Sequence, residues 1–320
     1  MDVEANAMKT KLIIWLSLTC PIWLFGQQGD LQVKTFPTKP KVQHMHLNLR
    51  IPAGEVFIKA SQSCGKSYFK LYSDDEKLSP KVEEGPDSHG NWLRTVALDL
   101  KQEAPADQVA TGNMRSTKAD FSQQVLFNSS GNTQTLRSTY SPDPSLSTDL
   151  YLDLGVGRSR LDLSDLSLNR VKIHTAFADL HINFSHENRV SMEKMDIHAA
   201  KAKIVLKNLE LARADLISIV NDMGDTKMVL GSNKHSGATI YVQQGMGDFS
   251  LIVHPEHPTK IIVKNGLFAS SNLKEDSKDF HREGNSNTFV NDAYKKSGGK
   301  NATTLICTID FGSISVYPGR

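Results

Sequence analysis

The chain has 320 residues, of which 39% are hydrophobic and 22% charged, with a formal net charge of +2 and a mean hydropathy of −0.35. Its 37 basic and 35 acidic residues are mixed along the chain, which gives no basis for nucleic-acid binding or a polybasic membrane contact. Length allows one large or two ordinary domains, and frequent Thr, Ser and Asn without a long Leu/Ala/Glu/Lys-rich stretch favour strands.

The first element is an export signal. Lys9 and Lys11 precede the apolar run "LIIWLSLTCPIWLFG", which gives way to polar "QQGD". A basic flank, a short apolar region and a polar exit describe a secretory signal peptide over residues 1–27, cleaved between Gly26 and Gln28. A membrane anchor needs about 20 apolar residues, and Pro21 interrupts this run, so no transmembrane segment is expected after signal removal. Ser17, Leu18 and Thr19 make a poor lipobox ahead of Cys20. Cleavage leaves Cys64 and Cys307, which can pair in an oxidising compartment or remain two separate buried thiols, the preferred reading.

Residues 28–150 read as an irregular β-rich cap or a small β-domain. "HMHLNLRIPAGEVFIKA" has the look of a strand–corner–strand unit with Gly54 at the corner; "SYFKLYS", "WLRTVALDL" and "QQVLFNS" are further strand candidates.

From residue 151 the chain repeats itself. A small or turn-forming residue recurs at Gly155, Ala176, Ala200, Asp222, Gly245 and Gly266, at spacings of 21, 24, 22, 23 and 21. Three positions before it stand Leu152, Ile173, Ile197, Ile219, Val242 and Val263; six after it stand Leu161, Ile182, Leu206, Met228 and Leu251. Both columns are apolar, and the inward phase changes between them. A corner built on Gly155, Gly157, Ala176, Ala178, Ala200, Ala202, Gly224, Gly245, Gly247 and Gly266 accounts for that change. Repeats of this length made of strands and corners predict an all-β fold, a β-solenoid with one coil of about 21–24 residues per repeat over residues 151–320. Arg158, Asp179, Lys203, Asp225 and Asp248 form a corner column of nearly alternating sign, read as structural. Residues 270–300 break the pattern and are expected to be a mobile surface insertion whose removal spares the fold. "CTIDFGSISVY", from Cys307, reads as a degenerate final coil.

Catalytic signatures are absent: there is no His-Glu-x-x-His, Walker A or Gly-x-Ser-x-Gly pattern, and three Ser-x-x-Lys matches lack their companion motifs. One constellation could carry a metal. Asp153, His174 and His198 stand two positions before the small residue on successive coils, facing outward, a set able to hold zinc with an open position. The plainer reading is an exposed polar column continuing as Val220, Gln243 and Lys264, so no catalytic, cofactor-binding or metal residue is assigned and no cofactor is expected.

The pattern carried by "LDLGVGRSRLDLS", "IHTAFADLHINFS", "IVNDMGDTKMVL" and "VQQGMGDFSLIV" resembles the β-solenoid domains of bacterial adhesin-like and cell-wall-active antibiotic response ("toastrack") families. That resemblance implies an envelope scaffold, sometimes regulatory or adhesive, with no catalytic residues to transfer. The expectation is a non-enzymatic exported protein of the periplasm, cell surface or extracellular space, binding an envelope or extracellular protein or glycan. The alternatives are a polysaccharide-processing enzyme on a β-helix and a periplasmic regulatory module.

Overall fold

The computed structural model describes residues 30–37, 42–60, 66–73, 81–86, 92–99, 137–232, 237–271, 279–284 and 286–319; the expected export signal, Cys20 and Cys64 lie outside the described residues. Within them the chain is nearly all strand.

Each coil is a strand bent once. In β7 (Ser147–Asp162) the inward-facing buried side chains are Thr148, Leu150, Leu152 and Leu154 before the bend, then Ser159 and Leu161 after it. The inward set thus passes from even to odd numbers across residues 155–157, because period-2 alternation restarts where the backbone turns. The same pattern is repeated in β8 (Ser167–Asn183) and β9 (Met192–Lys207). It recurs in the split pairs β10 (Ala214–Met223) with β11 (Thr226–Leu230), and β12 (Thr239–Met246) with β13 (Phe249–Val253).

Coils stack in parallel and in register. Leu152, Ile173, Ile197, Ile219 and Val242 lie one upon another. So do Leu161, Ile182, Leu206, Met228 and Leu251. Every member is at most 3% exposed, and all belong to one continuous core. The molecule is a β-solenoid in which each coil lends a slice to that core.

Spatial order departs from chain order at both ends. β2 (His44–Lys59) pairs with β7 from His44↔Ser147 to Lys59↔Asp162, with Gly54 opposite Gly157. On its other side β2 takes β5 (Trp92–Asp99) along its first half and β6 (Arg137–Ser141) along its second. The chain therefore builds β2, goes outward to lay down β5 and β6, then returns across β2 to start β7. The expected boundary at residue 150 falls inside β7, and residues 44–59 stack in the same sheet as the repeats that follow. At the far end β17 (Thr303–Pro318) inserts between β12/β13 and β14 (Thr259–Ser271): Cys307 lies beside Val242 on one side and Val263 on the other. The copy expected to close the solenoid is its penultimate level. Buried there, Cys307 behaves as a small apolar side chain, its thiol pushed up to about 12 by burial.

Antiparallel strands cover both terminal levels. β4 (Lys81–Pro86) pairs with β5, β3 (Lys66–Ser73) with β6, and β1 (Asp30–Pro37) with β3. Arg94 of β5, 1% exposed, forms an ion pair at 2.5 Å with Glu84 of β4, which ties this cover to the first level. At the other end β16 (Thr288–Asn291) pairs with β14 and β15 (Phe280–Arg282) with β16, followed by helix α1 (Asp292–Ser297). The described part of the expected mobile insertion is therefore a cap on the open edge of β14, where unpaired backbone groups would otherwise template association.

One buried side chain joins this cap to the stack. Asn291, 2% exposed, accepts from the Thr259 N–H at 3.0 Å and the Tyr294 N–H at 2.9 Å, and donates to His257 O at 2.7 Å. Asn291→Ala removes the cap of α1 and strands buried groups at the foot of β14. The expected loss is about 2–3 kcal/mol, read as a lower urea midpoint at unchanged m-value.

Candidate functional site

The corner decides what the surface presents. Gly155, Ala176, Ala200, Asp222 and Gly245 occupy one column of the stack. Gly54, Gly157, Ala178 and Ala202 occupy the second, continued upward by Gly224, Gly247 and Gly312. Gly266 lies where the β14–β17 register shifts, between Asn265 and Phe268. Gly157 has φ +148° and Gly247 φ +125°, a region that side chains strongly disfavour, and a Cβ on Gly157 would stand 1.8 Å from the Gly54 carbonyl oxygen. At Gly157 and Gly247 the neighbouring coil approaches too closely for a side chain, whereas the levels of Ala178 and Ala202 leave room for a methyl group.

Buried amides hold the later corners. Asn221 donates to Ala202 O at 3.1 Å and to the Thr226 hydroxyl at 3.1 Å; Gln244 donates to Gly224 O and, at 3.2 Å, to Met246 O. The acidic column completes the ladder: the Asp248 N–H donates to Asp225 Oδ1 at 3.1 Å, and the Ser313 N–H and hydroxyl donate to Asp248 Oδ1 at 3.0 and 2.7 Å. Each aspartate accepts from the backbone of the next coil, and those hydrogen bonds offset the repulsion of two like charges on adjacent levels.

Between the two small-residue columns the backbone turns its intervening side chain out to solvent. Val156 of β7 neighbours Phe177 of β8, Lys201 of β9 interrupts the row, and Met223, Met246 and Phe311 resume it on successive levels. These five apolar side chains are 37–51% exposed. At about 4.8 Å per level they form a ridge roughly 24 Å long. A row of exposed large apolar residues is the kind of surface that marks a contact site. In the sequence each looks like an isolated residue between small ones, and only the stacking register joins them.

The outer faces hold the histidines. Asp153, His174 and His198 do stand side by side on β7, β8 and β9. Asp153 is engaged by Arg50 of β2 at 3.0 Å, and His198 lies 3.7 Å from Asp222. The His174 and His198 rings meet edge to face at 5.9 Å, and burial, with Lys172 and His198 nearby, holds the His174 imidazole below its ordinary pKa. These three do not converge on a common point.

A different trio does. Among the described residues, His44, His46 and Asp149 are the group whose ligand atoms all lie within 4.8 Å of one another. His44 and His46 alternate along β2 and so project from the same face, while Asp149 stands directly opposite His46 on β7. Asp149 Oδ2 is 3.3 Å from His44 Nε2 and 3.2 Å from His46 Nε2. The rings cross at 82° with centroids 5.0 Å apart, which lets both nitrogens point at one oxygen. The "HMH" spacing in a strand was the available sequence signal; the aspartate, about 100 residues away, was invisible without the register of β2 against β7.

Small-molecule chemistry has little room at the corner. The hollow between β2, β7 and β8, lined by Ile51, Val56, Leu154 and Ala178, holds about 10 Å³, far below the ~300–1,000 Å³ of typical ligand sites.

Residues 26–198 match the family model described as the N-terminal domain of toast_rack, DUF2154. No curated protein matches the chain. Among solved structures, a candidate cell adhesion protein from Clostridium sporogenes is similar over 91% of this chain and 100% of its own, at 14% identity and a TM-score of 0.40. A candidate adhesin from Bacteroides fragilis is similar over 90% of this chain and 97% of its own, at 11% identity and a TM-score of 0.37. No helix among the described residues is long and apolar enough to cross a membrane.

Proposed function

The chain belongs to the toast_rack N-terminal domain family, and from that premise we propose that it is a non-enzymatic, exported, envelope-associated binding protein of the adhesin-like type. The observation that carries the reading is the exposed ridge of Val156, Phe177, Met223, Met246 and Phe311 along the solenoid corner. A rigid stack holds these side chains at fixed intervals, and two unbranched methionines let the contact adapt to its partner's shape. The partner is an envelope or extracellular protein with an apolar contact face. The basic, apolar and polar succession at the N-terminus supports export.

The test pairs binding with turnover. The mature protein is applied to arrayed extracellular proteins and glycans, alongside the double variant Met223→Glu/Met246→Glu. Both methionines are exposed, so the variant's stability is expected to stay within about 0.5 kcal/mol per site. Binding to a protein target that falls at least tenfold in the variant supports the proposal. Undiminished binding, or degradation of an arrayed polysaccharide by the wild type, overturns it.

A further inference from the structure

The trio on the outer face of β2 and β7 suits a second task, independent of the ridge. The geometry points to a site for one zinc-class divalent transition-metal ion, held by His44 Nε2, His46 Nε2 and Asp149 Oδ2, with an outward coordination position left open.

Ligand spacing is the first argument. Zinc binds imidazole nitrogen and carboxylate oxygen at about 2.0–2.2 Å, so donors at neighbouring corners of a tetrahedron sit roughly 3.3–3.5 Å apart. The two N···O separations are 3.2 and 3.3 Å, already close to those edges. All three donors lie within 4.8 Å of one another, so the remaining edge closes by side-chain rotation alone.

The second argument is Asp149 itself. The residue is 9% exposed, and its Oδ1 is buried without a hydrogen-bond partner. A carboxylate seldom gives up water on one oxygen without compensation. A cation placed between its Oδ2 and the two imidazoles supplies that compensation through charge. Arg170, opposite Asp149 on β8, spends its hydrogen bonds on Glu193, to which its Nε and a terminal nitrogen donate at 2.7 and 2.5 Å, and acts on Asp149 through its charge alone.

The third argument is ligand type and access. Two imidazoles and one carboxylate suit zinc and its transition-metal neighbours and disfavour magnesium and calcium, which prefer oxygen. The side chains of His44 and His46 are 24% and 40% exposed, so the ion is reachable from solvent and open to an outside ligand. The three donors come from two neighbouring levels separated by about 100 residues of chain, so the ion would also fasten β2 to β7.

The test uses the mature protein stripped with chelator and titrated calorimetrically with zinc chloride, with magnesium chloride as comparison. One zinc per chain is expected, with no measurable magnesium binding and a melting temperature raised by several degrees at saturation. His46→Gln and Asp149→Asn keep side-chain size, and each is expected to weaken zinc binding beyond the ~10–100-fold typical of losing an outer-shell partner. Cobalt substitution gives a second readout: a tetrahedral visible spectrum in the wild type, lost in His46→Gln. Control variants His174→Gln and Met223→Glu/Met246→Glu should bind zinc as the wild type does, which separates this site from the ridge. Absence of zinc binding in the wild type, or the same stoichiometry and affinity in folded His46→Gln, overturns the assignment.

Discussion

Gly157→Val is expected to destabilise the protein by about 3–5 kcal/mol, the range reserved for substitutions with a specific steric cause. Two effects add at this position. The backbone has φ +148°, which a β-branched residue resists, and the new Cβ would stand 1.8 Å from the carbonyl oxygen of Gly54 on the coil beneath. A carbonyl in a stacked strand cannot withdraw without breaking the ladder between β2 and β7, which pairs on both sides of the corner. Urea unfolding reads the loss as a lowered midpoint. Ala178→Gly is the internal comparison. It changes the same column at a coil whose backbone does not take positive φ, so it should cost only about 0.5–1 kcal/mol through added chain entropy. Equal effects of the two variants would sink the account of the corner as a point of forced close approach.

Replacing residues 272–300 by a Gly/Ser linker of equal length is expected to make the protein self-associate beyond the state of the wild type. The equal length keeps the path from the end of β14 to the start of β17. What disappears is the cover supplied by β15, β16 and α1, including the pairing of Lys260 with Val290 and Ile262 with Thr288. Asn291 leaves with it, stranding the buried Thr259 N–H. A parallel stack ending in an open edge offers the same hydrogen bonds to another molecule that it offers to its own next coil. Light scattering after size exclusion should show species larger than the wild type, and the melting temperature should fall. A size distribution equal to that of the wild type, with a melting temperature within a degree or two of it, would contradict the capping role.

How much of this was legible in the sequence follows from the range of each signal. Alternation within "LYLDLGVGRSRLDL" is local, and a period of 21–24 residues survives in single-letter code because every coil solves the same packing problem. The columns through Leu152 and Leu161 could therefore be read, and with them the β-solenoid. The tasks of particular residues were less accessible. Asp153, His174 and His198 stand side by side in the register, yet Arg50 engages Asp153 from a coil that the repeat count did not include. The trio of His44, His46 and Asp149 was missed because it spans two levels joined by a return path through β3, β4, β5 and β6. The ridge escaped notice because Val156, Phe177, Met223, Met246 and Phe311 differ in type and share only exposure.

By itself, then, the sequence determined the β-class, the coil length, the inward columns and the small residues at the bend, all properties of one coil or of a repeated one. Tertiary structure alone decided which coil lies beside which: β2 between β5/β6 and β7, and β17 between β12/β13 and β14. The physical reason is that parallel coils with equivalent apolar columns are nearly interchangeable as neighbours. Their order is set by the ends, where the last exposed edge must be covered by strands that do not repeat. That order places His44 and His46 of β2 against Asp149 of β7, and Phe311 of β17 beside Met246 in the ridge.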